Sequence, residues 1–134
     1  MFVSTSNDIA EYHAALSDAD RVLCERLRAL IEHELPEAQG KVWHGHPVWF
    51  IDGNPVVGYH RLKPGVRVLF WSGQSFATPG LTKSGSFKAA EFTPGSPDAL
   101  AELPFEQWLR ESRDIQWDYK NIMKKKRLEK ATDF

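Results

Sequence analysis

Lys41-Val42-Trp43-His44-Gly45-His46-Pro47-Val48-Trp49-Phe50-Ile51, then Asp52-Gly53-Asn54 and Pro55-Val56-Val57-Gly58-Tyr59-His60-Arg61-Leu62, is the stretch whose reading decides the fold. Its β-branched and aromatic residues suit a pleated, half-buried surface, and the Asp-Gly-Asn interruption has the chemistry of a turn. The stretch therefore predicts a β-hairpin: one strand from Lys41 to about Ile51, a turn at Asp52-Gly53-Asn54, and a returning strand from Pro55 to Leu62. Lys63-Pro64-Gly65 turns the chain again, and Val66-Arg67-Val68-Leu69-Phe70-Trp71 supplies a third strand with partial alternation. Three consecutive strands joined by tight turns make an antiparallel meander.

On the N-terminal side the period changes to that of helices. Asn7 is placed to cap a short helix reaching about Leu16, with Ile9, Tyr12 and Leu16 on one face. Ser17 with Asp20 resembles a capping box, and Leu23, Leu27, Leu30, Ile31 and Leu35 follow at spacings of three and four until Pro36 ends the run. On the C-terminal side, the Gly-, Ser-, Thr- and Pro-rich stretch from Ser72 to Ser86 reads as a loop. A short strand near Phe87 to Phe92 and a second loop from Thr93 to Asp98 follow. From Pro104 to about Arg127 the residues Phe105, Trp108, Leu109, Ser112, Ile115, Tyr119, Ile122 and Met123 form a helical stripe. The expected fold class is α+β: two N-terminal helices, an antiparallel meander, and one long C-terminal helix packed on the same face of the sheet, all within one domain spanning 1–134.

Composition narrows the function classes. The chain has 134 residues, 42% hydrophobic and 26% charged, which is a globular balance large enough for a core without a metal or disulfide staple. A net charge of -1 argues against a surface shaped throughout for nucleic acid, although acids dominate Asp8 to Glu37 and cations dominate Lys120 to Lys130. Cations near a helix C-terminus complement its dipole, which accounts for Lys124-Lys125-Lys126-Arg127 more simply than phosphate contacts do. Cys24 is the only cysteine, so no internal disulfide forms, and its place on an apolar helical face suits an inert thiol. Met1 to Asn7 lacks a basic region leading into an apolar run, and no stretch approaches the roughly 18 apolar residues of a membrane span. A cytoplasmic protein with no membrane association is expected.

The mixture of His and Trp in the first strand points to a binding site. Plain core strands are filled with aliphatic residues, whereas imidazoles and indoles add hydrogen-bonding edges and flat faces. In a regular strand His44 and His46 share a face, where they either line a polar pocket or supply two ligands to one metal. A metal site needs a third ligand, for which His60 or Asp52 is the nearest candidate. Trp43 and Trp49 take the opposite parity, and Trp71 on the third strand can join whichever face is functional. Parity alone does not say which face that is.

Trp117 falls off the C-terminal helical stripe beside Arg113. Either it contacts a ligand or a second subunit, stacking on Arg113, or a helix break near Arg113 resets the phase and returns it to the core. Phosphate-cradling glycine loops, a Gly-x-Ser-x-Gly elbow and a His-Glu-x-x-His helix are all missing from the sequence. The residues thus point to a binding domain with His44, His46, Trp49, Trp71, Arg113 and Trp117 around a small molecule or protein partner. A small enzyme using His44 or His46 as general acid or base is a rival reading, and a homodimer through Trp117 is another.

In their order along the chain, Gly45-x-Pro47-x-Trp49, Gly53-Asn54-Pro55-Val56-Val57-Gly58 and the run from Gly65 to Phe70 resemble the YdhG-like family of small bacterial domains of unknown function. The resemblance implies an α+β fold with an antiparallel sheet backed by N- and C-terminal helices. One branch of the family is described as frataxin-like iron chaperones. For this chain that implies iron as a possible cofactor, with Asp8, Glu11, Asp18 and Asp20 as generic acidic candidates and His44 and His46 as an additional metal pair.

Overall fold

The computed structural model describes residues 4–134, with side chains from Asp8 onward. Helix α1 spans Ser4–Ala14 and α2 spans Asp18–Glu34. Because α1 already begins at Ser4, Asn7 lies within its first turns and is not its cap. Helix α2 follows its sequence signals: Ser17 Oγ accepts from the Asp20 backbone N–H, Asp18 and Asp20 occupy the dipole's positive end, and Leu23, Cys24, Leu27 and Ile31 are buried at three- and four-residue spacing.

Strands β1 (Gln39–Trp43), β2 (His46–Ile51), β3 (Asn54–Leu62), β4 (Gly65–Phe70), β5 (Thr82–Lys83) and β6 (Ala90–Phe92) form one antiparallel sheet in the order β1-β2-β3-β4-β6-β5. The single strand expected from Lys41 to Ile51 is in fact a hairpin. Trp43 pairs with His46 across a two-residue turn in which His44 and Gly45 have φ of 54° and 87°. Two successive positive φ values are those of the turn whose twist matches a hairpin, and glycine at the second makes it accessible. Asp52 and Gly53, with φ of 50° and 82°, repeat the device between β2 and β3. The pairing shifts between Trp49 and Phe50, opposite Val57 and Pro55, which leaves Val56 as the extra residue of a bulge in β3.

One face of the sheet carries Trp49, Val57, Tyr59, Val68, Phe70 and Phe92 into a single apolar cluster with Ile9, Leu27, Ile31, Phe105, Trp108 and Leu109 from the helices. Gly40 is part of this packing, since a Cβ there would come within 2.5 Å of the Trp49 indole nitrogen. The sequence loop from Thr93 to Asp98 runs into a short helix α3 (Pro97–Ala101), capped by Ser96. The long C-terminal helix is also corrected: α4 covers only Phe105–Asp114, and after an extended stretch α5 spans Ile122–Lys125.

The break in that helix comes from partners outside it. The backbone N–H of Gln116 donates to Thr132 Oγ1 (3.0 Å) and that of Trp117 to Ser72 Oγ (2.9 Å), so neither continues the helical ladder. Buried Asn54 donates to Gln116 Oε1 and to the Trp117 carbonyl, and accepts from the Lys120 backbone N–H. Trp117 also bridges antiparallel to Lys130, and Asp118 N–H donates to the Glu129 carbonyl (2.7 Å). Residues 115–125 thereby become a strap tied to the Asp52-Gly53 end of the sheet.

Candidate functional site: an aromatic cleft under the C-terminal strap

Alternation along β1 sends Val42 toward the helices and Lys41 and Trp43 to the opposite, outer face. There Trp43 meets Phe50 edge-on with ring centroids 5.3 Å apart, and Trp71, just past β4, lies 6.5 Å from Trp43. Trp71 is held by its own backbone N–H, which donates to the Val56 carbonyl (3.1 Å). The strap closes the other side with Tyr119, Lys120, Ile122 and Met123. Between hairpin and strap lies a cleft of about 470 Å³, also lined by Lys41, His44, Gly53 and Pro55. That volume and this set of flat apolar walls with a few polar groups are typical of small-molecule sites.

The polar side chains lining the cleft are those of Lys41, Lys120, Tyr119 and His44. Lys41 Nζ sits 4.9 Å above the Phe50 ring, and Lys120 Nζ donates to the Asp52 carbonyl (2.7 Å). Tyr119 Oη accepts from the Lys88 backbone N–H (3.0 Å), and burial raises its pKa above the ordinary phenol value. Other grooves on the surface are built differently. The one between α1 and α2, about 380 Å³, is lined by His13, Arg21, Glu25, Arg28 and Glu32 over alanines, and its arginines face carboxylates of the same helix.

The site residues expected from sequence separate into distinct places. His44, at the hairpin tip, and Trp71 line the cleft. His46 lies on the same outer face but not in the cleft, because the turn at His44-Gly45 ends the strand parity that would have placed the two imidazoles side by side. Its ring stacks on His60 with centroids 4.6 Å apart and planes 18° off parallel. Burial first, and then the neighbouring His60, hold the His46 pKa below the ordinary imidazole value; burial and Arg67 do the same to His60. Trp49 points the other way, fully buried in the core, with its indole N–H donating to Glu32 (3.2 Å).

Arg113 and Trp117, four apart in sequence, are not stacked, because α4 ends at Asp114. Arg113 pairs with Glu37 and donates to the Glu34 carbonyl, pinning the end of α4 to the end of α2. Trp117 is half-buried: its indole N–H donates to Ser75 Oγ (3.0 Å), Lys88 Nζ lies 4.7 Å from its ring centre, and Phe134 packs edge-on at 5.6 Å. Among the described residues no three His, Cys, Asp or Glu side chains are grouped to hold a metal ion.

Trp43, Phe50, Lys41, Tyr119 and Lys120 are among the cleft residues that sequence reasoning did not select. The signal for the first three was the X-Gly pair at His44-Gly45, which makes a hairpin and sends Trp43 and Trp49 to opposite faces. Outside the cleft, a buried pair also went unread: His13 Nε2 lies 2.6 Å from Tyr59 Oη. His13 follows Ile9 by one helical turn and so had to face the sheet.

The architecture defines a small α+β domain, an antiparallel meander with helices on one face and a C-terminal strap at one end of the other. Among solved structures it matches the crystal structure of YdhG, a DUF1801 family protein from Bacillus subtilis, with a TM-score of 0.54 over 90% of this chain and 92% of that one. Sequence identity is 14%, so what the two share is the fold. No protein-family model and no curated protein sequence matches the chain.

Proposed function

We propose that this protein is a single-domain binding protein whose ligand seats in the cleft between the β1–β2 hairpin and the C-terminal strap. The observation that carries the reading is the grouping of Trp43, Phe50 and Trp71 on the sheet face that the helices leave free, with the strap forming a wall opposite. Side chains kept half-exposed at that size cost hydration free energy, and a flat apolar ligand recovers it. His44 sits at the mouth as a polar group on a tightly constrained turn. A reducing, cytoplasmic setting suits the lone buried Cys24, whose thiol pKa is pushed up to about 12 by burial.

A screen of planar aromatic fragments followed by amide NMR tests this directly. Hits are expected to shift Trp43, Trp71, Tyr119 and Ile122 and to be lost in a Trp43→Ala/Trp71→Ala variant that remains folded. Hits confined to the α1–α2 groove, or retained unchanged in that variant, overturn the reading.

A further inference from the structure

The five tryptophans divide by what their indole N–H groups do. Those of Trp49, Trp108 and Trp117 donate to Glu32, to the Thr78 carbonyl and to Ser75 respectively. Those of Trp43 and Trp71 have no hydrogen-bond partner among the described residues, and these are the two that line the cleft. An indole nitrogen only donates, so two of the residues that line the cleft carry unused donors. Lys41 and Lys120 add ammonium groups, one over a ring and one on a neutral carbonyl. Among the described residues no Asp or Glu lines the cleft. The nearby Asp118 is engaged by Asn121 and Lys125, and Asp52 contributes its carbonyl to Lys120.

Resting on the reading of the cleft as a ligand site, we infer that its ligand is a planar aromatic anion: a flat ring system bearing a carboxylate or phosphate group. The ring stacks among Trp43, Phe50 and Trp71, and the anionic oxygens accept from the indole N–H groups and from Lys41 and Lys120. Donors without acceptors, together with cations that no carboxylate lining the cleft neutralises, are complementary to the acceptor oxygens of an anion. Flat faces alone do not select charge. The donors and lysines do.

Calorimetric titration with naphthalene carboxylate, naphthyl phosphate and the neutral naphthalene carboxamide separates the two levels of the reading. The acids are expected to bind about tenfold more tightly than the amide, and that advantage shrinks as salt rises from about 20 to about 300 mM. Lys41→Gln with Lys120→Gln brings the acids down to the affinity of the amide. Whichever acid binds more tightly identifies the anionic group. If acids and amide bind equally, or the double lysine variant keeps the preference, the inference of an anion is overturned while the cleft stands as a site. If none of the three binds, the ligand site itself falls.

Discussion

The two faces of the sheet use tryptophan in opposite ways. On the inner face Trp49, with Trp108 from α4, is fully buried and its indole N–H is satisfied within the protein. On the outer face Trp43 and Trp71 are only half-buried and their N–H groups are unpaired among the described residues. Buried donors must be paired for a core to be stable, whereas donors at a cleft stay free for what enters it. A tryptophan's place in structure or function is thus read from its partners, which hairpin parity sets.

Truncation breaks the comparison most forcefully. Trp49→Ala or Trp108→Ala is expected to cost about 3–5 kcal/mol in urea unfolding, since each leaves a core cavity. Trp43→Ala and Trp71→Ala are expected to cost only about 1–2 kcal/mol, because these rings already face water in part. Equal losses on both faces would erase the distinction. Next in size is the clip that makes the cleft's far wall. Asn54→Ala removes three hydrogen bonds to residues 116–120 and is expected to cost about 2 kcal/mol. Amide exchange should then accelerate in the strap while α2 stays protected. Uniform acceleration would show that Asn54 supports the whole fold and not the strap.

Gly45→Ala sharpens the hairpin that sets the two faces. A Cβ at Gly45 meets nothing within 4 Å, so the expected loss of about 1 kcal/mol comes from the positive φ alone. The smallest effect is electrostatic. His13, His46 and His60 have folded pKa values below the unfolded imidazole value, first of all through burial. The unfolded chain therefore takes up these protons first. Their contribution to stability is complete above a pH of about 6.5 and is lost as pH falls through that value toward the folded pKa values. A His46→Gln variant should show a shallower loss between pH of about 7 and about 5 in denaturant melts. An unchanged slope would remove His46 from this account.

How far the sequence could be read follows from where each signal lay. Helix α2 was legible because its cap, its stripe and Pro36 all act within the helix. The Asp52-Gly53 turn and the β3–β4 pairing were legible for the same local reason. The first hairpin was not: histidine before glycine is a weaker turn signal than Asn or Asp, and the flanking apolar residues continue the strand pattern straight through it. The end of α4 was half legible: the off-stripe Trp117 raised a break near Arg113 as one alternative, but Ser72 and Asn54, which capture the backbone beyond it, lie 45 and 63 residues from Trp117. The site suffered from both. Once His44 became a turn, His46 and Trp49 left the expected pocket, and once α4 stopped at Asp114, Arg113 and Trp117 became ties between elements of the fold.

The most direct measurement of the claim that the outer-face tryptophans form the ligand seat is the side-chain indole spectrum of the isotope-labelled protein during titration with naphthalene carboxylate. The account predicts that the Trp43 and Trp71 signals move and saturate together while those of Trp49, Trp108 and Trp117 stay in place. Saturating binding that leaves Trp43 and Trp71 unmoved would contradict it.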